Sequence, residues 1–89
     1  MLKFIDFYAD WCYPCHIMKP VIDALEKEFA GKVQIEKINV DENPQLTGKF
    51  QIFSIPTYLV VRDEEELERT IGVTEKDRLF QLVQKHLGE

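Results

Sequence analysis

The stretch Asp10-Trp11-Cys12-Tyr13-Pro14-Cys15-His16 holds the chain's only two cysteines, spaced C-x-x-C, and its flanks leave few folds open. Before it, Leu2 to Ala9 (LKFIDFYA) is a short, mostly apolar, aromatic-rich run, the pattern of a buried strand. After it, Met18, Ile22, Leu25 and Phe29, with Ile17 and Val21 beside them, recur at helical spacing. The cysteines therefore sit on a strand-to-helix turn, with Pro14 in the first helical turn, where a missing N–H costs nothing. Two cysteines three apart at a helix start face the same way. The free backbone N–H groups there favour a thiolate at Cys12. The expectation is a reactive, exposed first cysteine and a second within reach to close a disulfide.

These residues are similar to a known signature. Asp6-Phe7-Tyr8-Ala9-Asp10-Trp11-Cys12-Tyr13-Pro14-Cys15 resembles the D-F-W-A-x-W-C-G-P-C run of the thioredoxin family. Pro20, Lys37 to Asp41 (KINVD), Asn43-Pro44, Ile55-Pro56-Thr57 and Gly72 follow in that family's order and approximate spacing. The resemblance covers nearly the whole chain. It implies a thiol-disulfide oxidoreductase that reduces protein disulfides: Cys12 attacks, and Cys15 resolves the mixed disulfide. It further implies that Asp6 is a buried aspartate exchanging a proton with Cys15, and that Lys37 is the lysine near it. Trp11, Tyr13, Pro14, Ile55, Pro56 and Gly72 would form the substrate-docking surface. No cofactor is implied beyond the redox-active Cys12–Cys15 disulfide. The implied partners are protein disulfides and a thioredoxin-reductase-type electron donor, and the implied state is a monomer.

Length and charge narrow the alternatives. Eighty-nine residues leave room for one domain, residues 1–89, and a net charge of −5 argues against a nucleic-acid binder or an anionic-membrane binder. Met1-Leu2-Lys3 leads straight into a strand-like run without the apolar core of a signal peptide, so the expected compartment is the cytoplasm, where a dithiol is catalytic more often than structural. An exported chain that had lost its signal would read the same way.

Along the chain, regular alternation puts Asp6 on the face of Leu2 and Phe4, either exposed by a bend or buried. A helix is expected from about Cys15 to Ala30, kinked by Pro20 and ended by Gly31. Val33 to Val40 alternates, with Lys37 on the face of Val33 and Ile35, so Lys37 either snorkels to water or meets a buried acid. A pairing with Asp6 would lower that carboxyl's pKa while desolvation raises it, and the sequence leaves the balance open. Asn43 and Pro44 start a short helix reaching Phe50, with Leu46 and Phe50 inward.

Ile55 to Val61 reads as a central strand with Pro56 at its first residue. The bond before Pro56 is trans on general grounds, since roughly 5 to 6% of such bonds are cis, whereas the family resemblance implies cis. Asp63 to Glu66 is an acidic turn, Leu67 to Ile71 a charged edge strand, and Gly72 a point of close backbone approach. Thr74 and Asp77 suggest a near-capping box for a last helix with Leu79, Leu82, Val83 and Leu87 inward, and His86 near its end as a cap for the helix dipole. The expected order, strand-helix-strand-helix-strand-strand-helix (βαβαββα), fits a four-stranded mixed α/β sheet flanked by three helices, the minimal thioredoxin fold.

Cys12-Tyr13-Pro14-Cys15-His16 also satisfies C-x-x-C-H, the haem-attachment pattern, but the strand-rich remainder offers no helical haem pocket. Zinc is disfavoured because two thiolates and one histidine leave a tetrahedral site incomplete. His16 stands where thioredoxins often carry lysine. It is either a solvated residue or, when protonated, a redox-tuning charge beside the cysteines. Tyr13 makes the motif C-Y-P-C, against C-P-Y-C in glutaredoxins, which keeps a glutaredoxin-like or oxidase/isomerase-like protein of the same fold as the alternative.

Overall fold

A computed structural model describes all residues, Met1–Glu89. Its elements are β1 (Leu2–Tyr8), α1 (Tyr13–Glu28), β2 (Gln34–Asn39), α2 (Pro44–Lys49), β3 (Thr57–Arg62), β4 (Glu65–Ile71) and α3 (Lys76–Leu87). The order and number match the sequence expectation. The four strands form one sheet in the order β2-β1-β3-β4. β1 runs parallel to β2 and antiparallel to β3, and β3 pairs antiparallel with β4.

Alternation along β1 divides the core between the two faces of the sheet. Leu2 and Phe4 point to one face and, with Tyr58 and Val60, meet Met18, Ile22 and Leu25 of α1 and Leu79 and Val83 of α3. Ile5 and Phe7 point to the other, where Ile38, Leu59 and Val61 pack with Leu46 and Phe50 around α2. The central strands β1 and β3 are covered on both sides, which explains why TYLVV reads as a continuous apolar run. The charged β4 is an edge strand, with a register shift opposite Val60 and Val61.

Several boundaries differ from expectation. α1 begins at Tyr13 because Cys12 itself is the N-cap, its sulfur accepting the N–H of Cys15. It ends at Glu28, with Phe29 as C-cap; Gly31 lies beyond in a left-handed turn. Asn43 precedes α2, but its side chain does not cap it. Instead Asn43 Nδ2 donates to the Asn39 carbonyl. Pro56 lies just before β3 rather than at its first residue, because pairing with β1 starts at Thr57. Thr74 is not the cap of α3, which starts at Lys76 after Glu75: the Thr74 hydroxyl is spent on the Gly72 carbonyl. His86 is buried, with Nδ1 2.7 Å from Glu89 Oε1 and Nε2 3.3 Å from Glu68 Oε1, so it sits between two carboxylates rather than merely facing the helix dipole.

Candidate active site

The end of β1 delivers the chain into the first turn of α1, and both cysteines lie in that passage. Cys12 N–H donates to the Ala9 carbonyl (3.2 Å), which turns the chain sharply after the strand, and Cys15 N–H donates to Cys12 Sγ (3.2 Å). Pro14 occupies the first helical turn, where no N–H is needed. Cys12 and Cys15 are joined as a disulfide. The expectation of an exposed Cys12 is corrected: it is only 3% exposed, while Cys15 is half-buried. The cause is its capping role, which folds Sγ back over the helix end. The Cys15 N–H at Cys12 Sγ is positioned to stabilise negative charge there.

Behind the disulfide lies a cleft of about 300 Å³ lined by Asp6, Ala9, Cys15, Ile22, Asp23 and Lys37, among others. Asp6 is 9% exposed and sits on the Leu2–Phe4 face, the buried alternative of the two left by the sequence. Burial raises its pKa to about 6, and the Lys37 charge only partly offsets this. Desolvation therefore wins the contest that sequence leaves open. The reason lies in where Lys37 goes. It reaches across to α1, with Nζ 3.1 Å from Glu26 Oε1 and 4.0 Å from Asp23 Oδ1, and remains partly in solvent. Its own pKa is raised, chiefly by the hydrogen bond to Glu26. Tyr58, the β3 neighbour of Asp6, has its phenol pushed up by burial and by the Asp6 charge.

The residues expected to dock substrate fall in two groups, one at the start of α1 and one on the loops around Pro56. Trp11 and Tyr13 are 70% and 74% exposed, large values for aromatic side chains. Pro14 is also exposed, Ile55 is half-buried, and Pro56 is buried behind a cis Ile55–Pro56 bond, as the resemblance implied. Gly72 N–H donates to the Pro56 carbonyl (2.8 Å), joining the two loops. Gly72 thus approaches Pro56 as expected, but a Cβ there would meet nothing within 4 Å, so what calls for glycine is its φ of +87° rather than space. His16 holds the first turn of α1 to the preceding loop: its Nε2 lies 2.7 Å from the Asp10 carbonyl, and because a carbonyl only accepts, that nitrogen carries the proton.

Three features escape the sequence reading. Trp11 Nε1 donates to Asp41 Oδ2 (2.8 Å), fixing the exposed indole from a loop 30 residues away, a pairing with no local signal. Phe53 is 91% exposed in the loop before Pro56, where no periodicity marks it. Ile71 and Val73, flanking Gly72, are both 59% exposed; charged β4 hides the first and a short loop the second.

With this geometry in place, comparisons with known proteins agree. The family model described as thioredoxin matches residues 2–85. Among curated relatives, the thioredoxin of Bacillus subtilis (strain 168) is 46% identical over 82 residues, spanning 92% of this chain and 79% of its own. The thioredoxin of Staphylococcus haemolyticus is 41% identical over 86 residues, 97% of this chain and 83% of its own. Among solved structures, a mutant thioredoxin from Halobacterium salinarum NRC-1 superposes with a TM-score of 0.87 at 32% identity, covering 97% of this chain and 74% of that one. A thioredoxin-2 described as a component of malaria parasite protein secretion machinery superposes with a TM-score of 0.91 at 27% identity, covering 97% and 84%.

Proposed function

The chain belongs to the thioredoxin family and is a protein-disulfide oxidoreductase working by dithiol-disulfide exchange; from that premise we propose that it runs in the reducing direction, with Asp6 managing the proton of Cys15. The observation that carries the role of Asp6 is a buried carboxyl, pushed up by burial to a pKa of about 6, lining the same cleft as Cys15, and the likeness to thioredoxins supports the reducing direction. A carboxyl so placed both takes and returns a proton near neutral pH.

The reaction starts from the dithiol. The Cys12 thiolate, stabilised by the N-terminus of α1, attacks one sulfur of a substrate disulfide. A Cys12–substrate disulfide forms, the substrate S–S bond breaks, and the first substrate thiolate leaves and picks up a proton. Cys15 then gives its proton to the Asp6 carboxylate, and its sulfur attacks Cys12 Sγ. The Cys12–Cys15 bond forms and the second substrate thiolate departs, so two electrons have passed from the dithiol to the substrate. A thioredoxin-reductase-type donor returns two electrons to the pair.

Trp11, Tyr13, Pro14, Ile55, Pro56 and Gly72 supply the docking surface, with Phe53, Ile71 and Val73 extending its apolar area. Lys37 moderates Asp6 from a distance, and His16, when protonated, adds a positive charge beside the pair that favours thiolate over disulfide. The same reading places the protein in the cytoplasm as a monomer, where the reducing pool keeps the dithiol ready. The test is turnover of a protein disulfide such as those of insulin, driven by NADPH and a bacterial thioredoxin reductase or by glutathione with its reductase. Turnover with the first system and not the second supports the reading. The reverse pattern favours the glutaredoxin-like alternative, and oxidation of reduced substrate thiols by the disulfide form favours an oxidase or isomerase.

A further inference from the structure

Lys37 stands beside Asp6 on the sheet, the two being direct partners in the β1–β2 register. Its four-carbon stem gives the ammonium a choice between two sets of carboxylates. It could turn in to Asp6, or cross the cleft mouth to α1. The structure shows the second arrangement, 3.1 Å from Glu26 and 4.0 Å from Asp23. We propose that Glu26, backed by Asp23, is a positioning residue for the proton step: it anchors the Lys37 ammonium at the mouth of the cleft and so withholds from Asp6 the counter-ion that stands next to it. The inference rests on the reading of Asp6 as the base for Cys15, and gives that reading its cause. A buried carboxylate with an ammonium at hydrogen-bond distance would stay ionised through neutral pH and would be a poor proton acceptor.

The other groups around Asp6 do not compete for this role. On α1, Cys15 and Lys19 line the same cleft, but the charge that acts on the Asp6 carboxyl is that of Lys37. His16 is tied to the carbonyl of Asp10, whose own side chain is exposed at the rim. On β1, Tyr8 lies beyond Asp6 at the rim, and on β3 the Tyr58 phenol keeps its proton at neutral pH. From α3 the face turned to the sheet is Leu79 and Val83. Its buried His86 sits beside Arg62, which pairs with Leu2 at the opposite end of β1. Lys37 is thus the one cation whose placement decides the charge that Asp6 feels.

The test reads Asp6 directly, by following its side-chain carboxyl carbon in an NMR pH titration of the oxidised protein. Glu26 and Asp23 are about half exposed, so Glu26→Gln and Asp23→Asn leave the core intact. In the Asp23→Asn/Glu26→Gln double variant, Lys37 turns in, and the Asp6 midpoint falls by about one pH unit. In Lys37→Met it rises instead, and adding the α1 substitutions to Lys37→Met changes nothing further. That non-additivity separates an effect through Lys37 from the plain loss of negative charge. An unmoved or raised midpoint in the double variant overturns the proposal, and so does an equal fall in the Lys37→Met background. A midpoint that falls while the pH profile of disulfide exchange stays put sustains the anchor and instead removes Asp6 from the role of base.

Discussion

Replacing Asp6 with asparagine should make the protein more stable at neutral pH and leave it nearly unchanged in acid. Asp6 is 9% exposed, and its pKa rises from 3.8 to about 6 on folding. Below about pH 4 the carboxyl is protonated in both folded and unfolded chains, so its burial carries little ionic penalty. Between about pH 4 and 6 the unfolded chain releases the proton while the folded chain keeps it, so the folded state binds more protons and stability falls as pH rises. Above pH 6 the penalty is complete. A rise of roughly two pH units at about 1.36 kcal/mol each amounts to about 3 kcal/mol. Asparagine keeps the shape without the charge. Urea unfolding of the oxidised forms at pH 7.5 should therefore favour the variant by about 3 kcal/mol, and at pH 4 by less than about 1 kcal/mol. If the difference were the same at both pH values, the gain would come from packing or hydrogen bonding, and the assignment of a desolvated, titrating Asp6 would fail. The cost should appear in function, since the variant has no group to accept the Cys15 proton.

Cys15→Ser should accumulate a covalent adduct on Cys12 with a protein disulfide substrate, seen as a mass increase lost with dithiothreitol, whereas Cys12→Ser should form none. The β3–β4 hairpin turns on Asp63 and Glu64 with φ of +51° and +68°, conformations that suit Asn-Gly. Asp63→Asn/Glu64→Gly should thus stabilise by about 1 kcal/mol and raise Tm by roughly 4–8 °C in a thermal scan. Asp41→Ala should release the only tryptophan from its 2.8 Å hydrogen bond, lowering the fluorescence anisotropy of Trp11 without a change in Tm above a few degrees.

The parts of this architecture that rest on short-range regularities are legible in the sequence. The apolar run of β1, the helical spacing of α1 and the turn between them place the cysteine pair without any three-dimensional information, and the alternation of LKFID puts Asp6 on the face of Leu2 and Phe4. What escapes depends on competition between distant partners. The family resemblance sets Lys37 near Asp6, but only the packing of α1 on the sheet shows that Glu26 takes its ammonium. Thr74 reads as a cap because a threonine stands at the right spacing, yet the Gly72 carbonyl claims its hydroxyl first. Cys12 reads as open because nucleophiles usually are, and its use as the helix cap turns it in. Trp11 and Asp41, on separate loops, meet only because parallel pairing of β1 and β2 brings their ends together.

The measurement that bears most directly on the account is the reduction potential of the Cys12–Cys15 pair, obtained by equilibration in glutathione and dithiothreitol buffers with the single tryptophan as reporter. A thiol-disulfide exchanger that works as a reductase should settle near the thioredoxin value of about −270 mV. A value near the about −120 mV of a strong protein oxidant would contradict the reducing direction, leave the fold and exchange chemistry in place, and point to Tyr13 and His16 as the residues that set the pair apart.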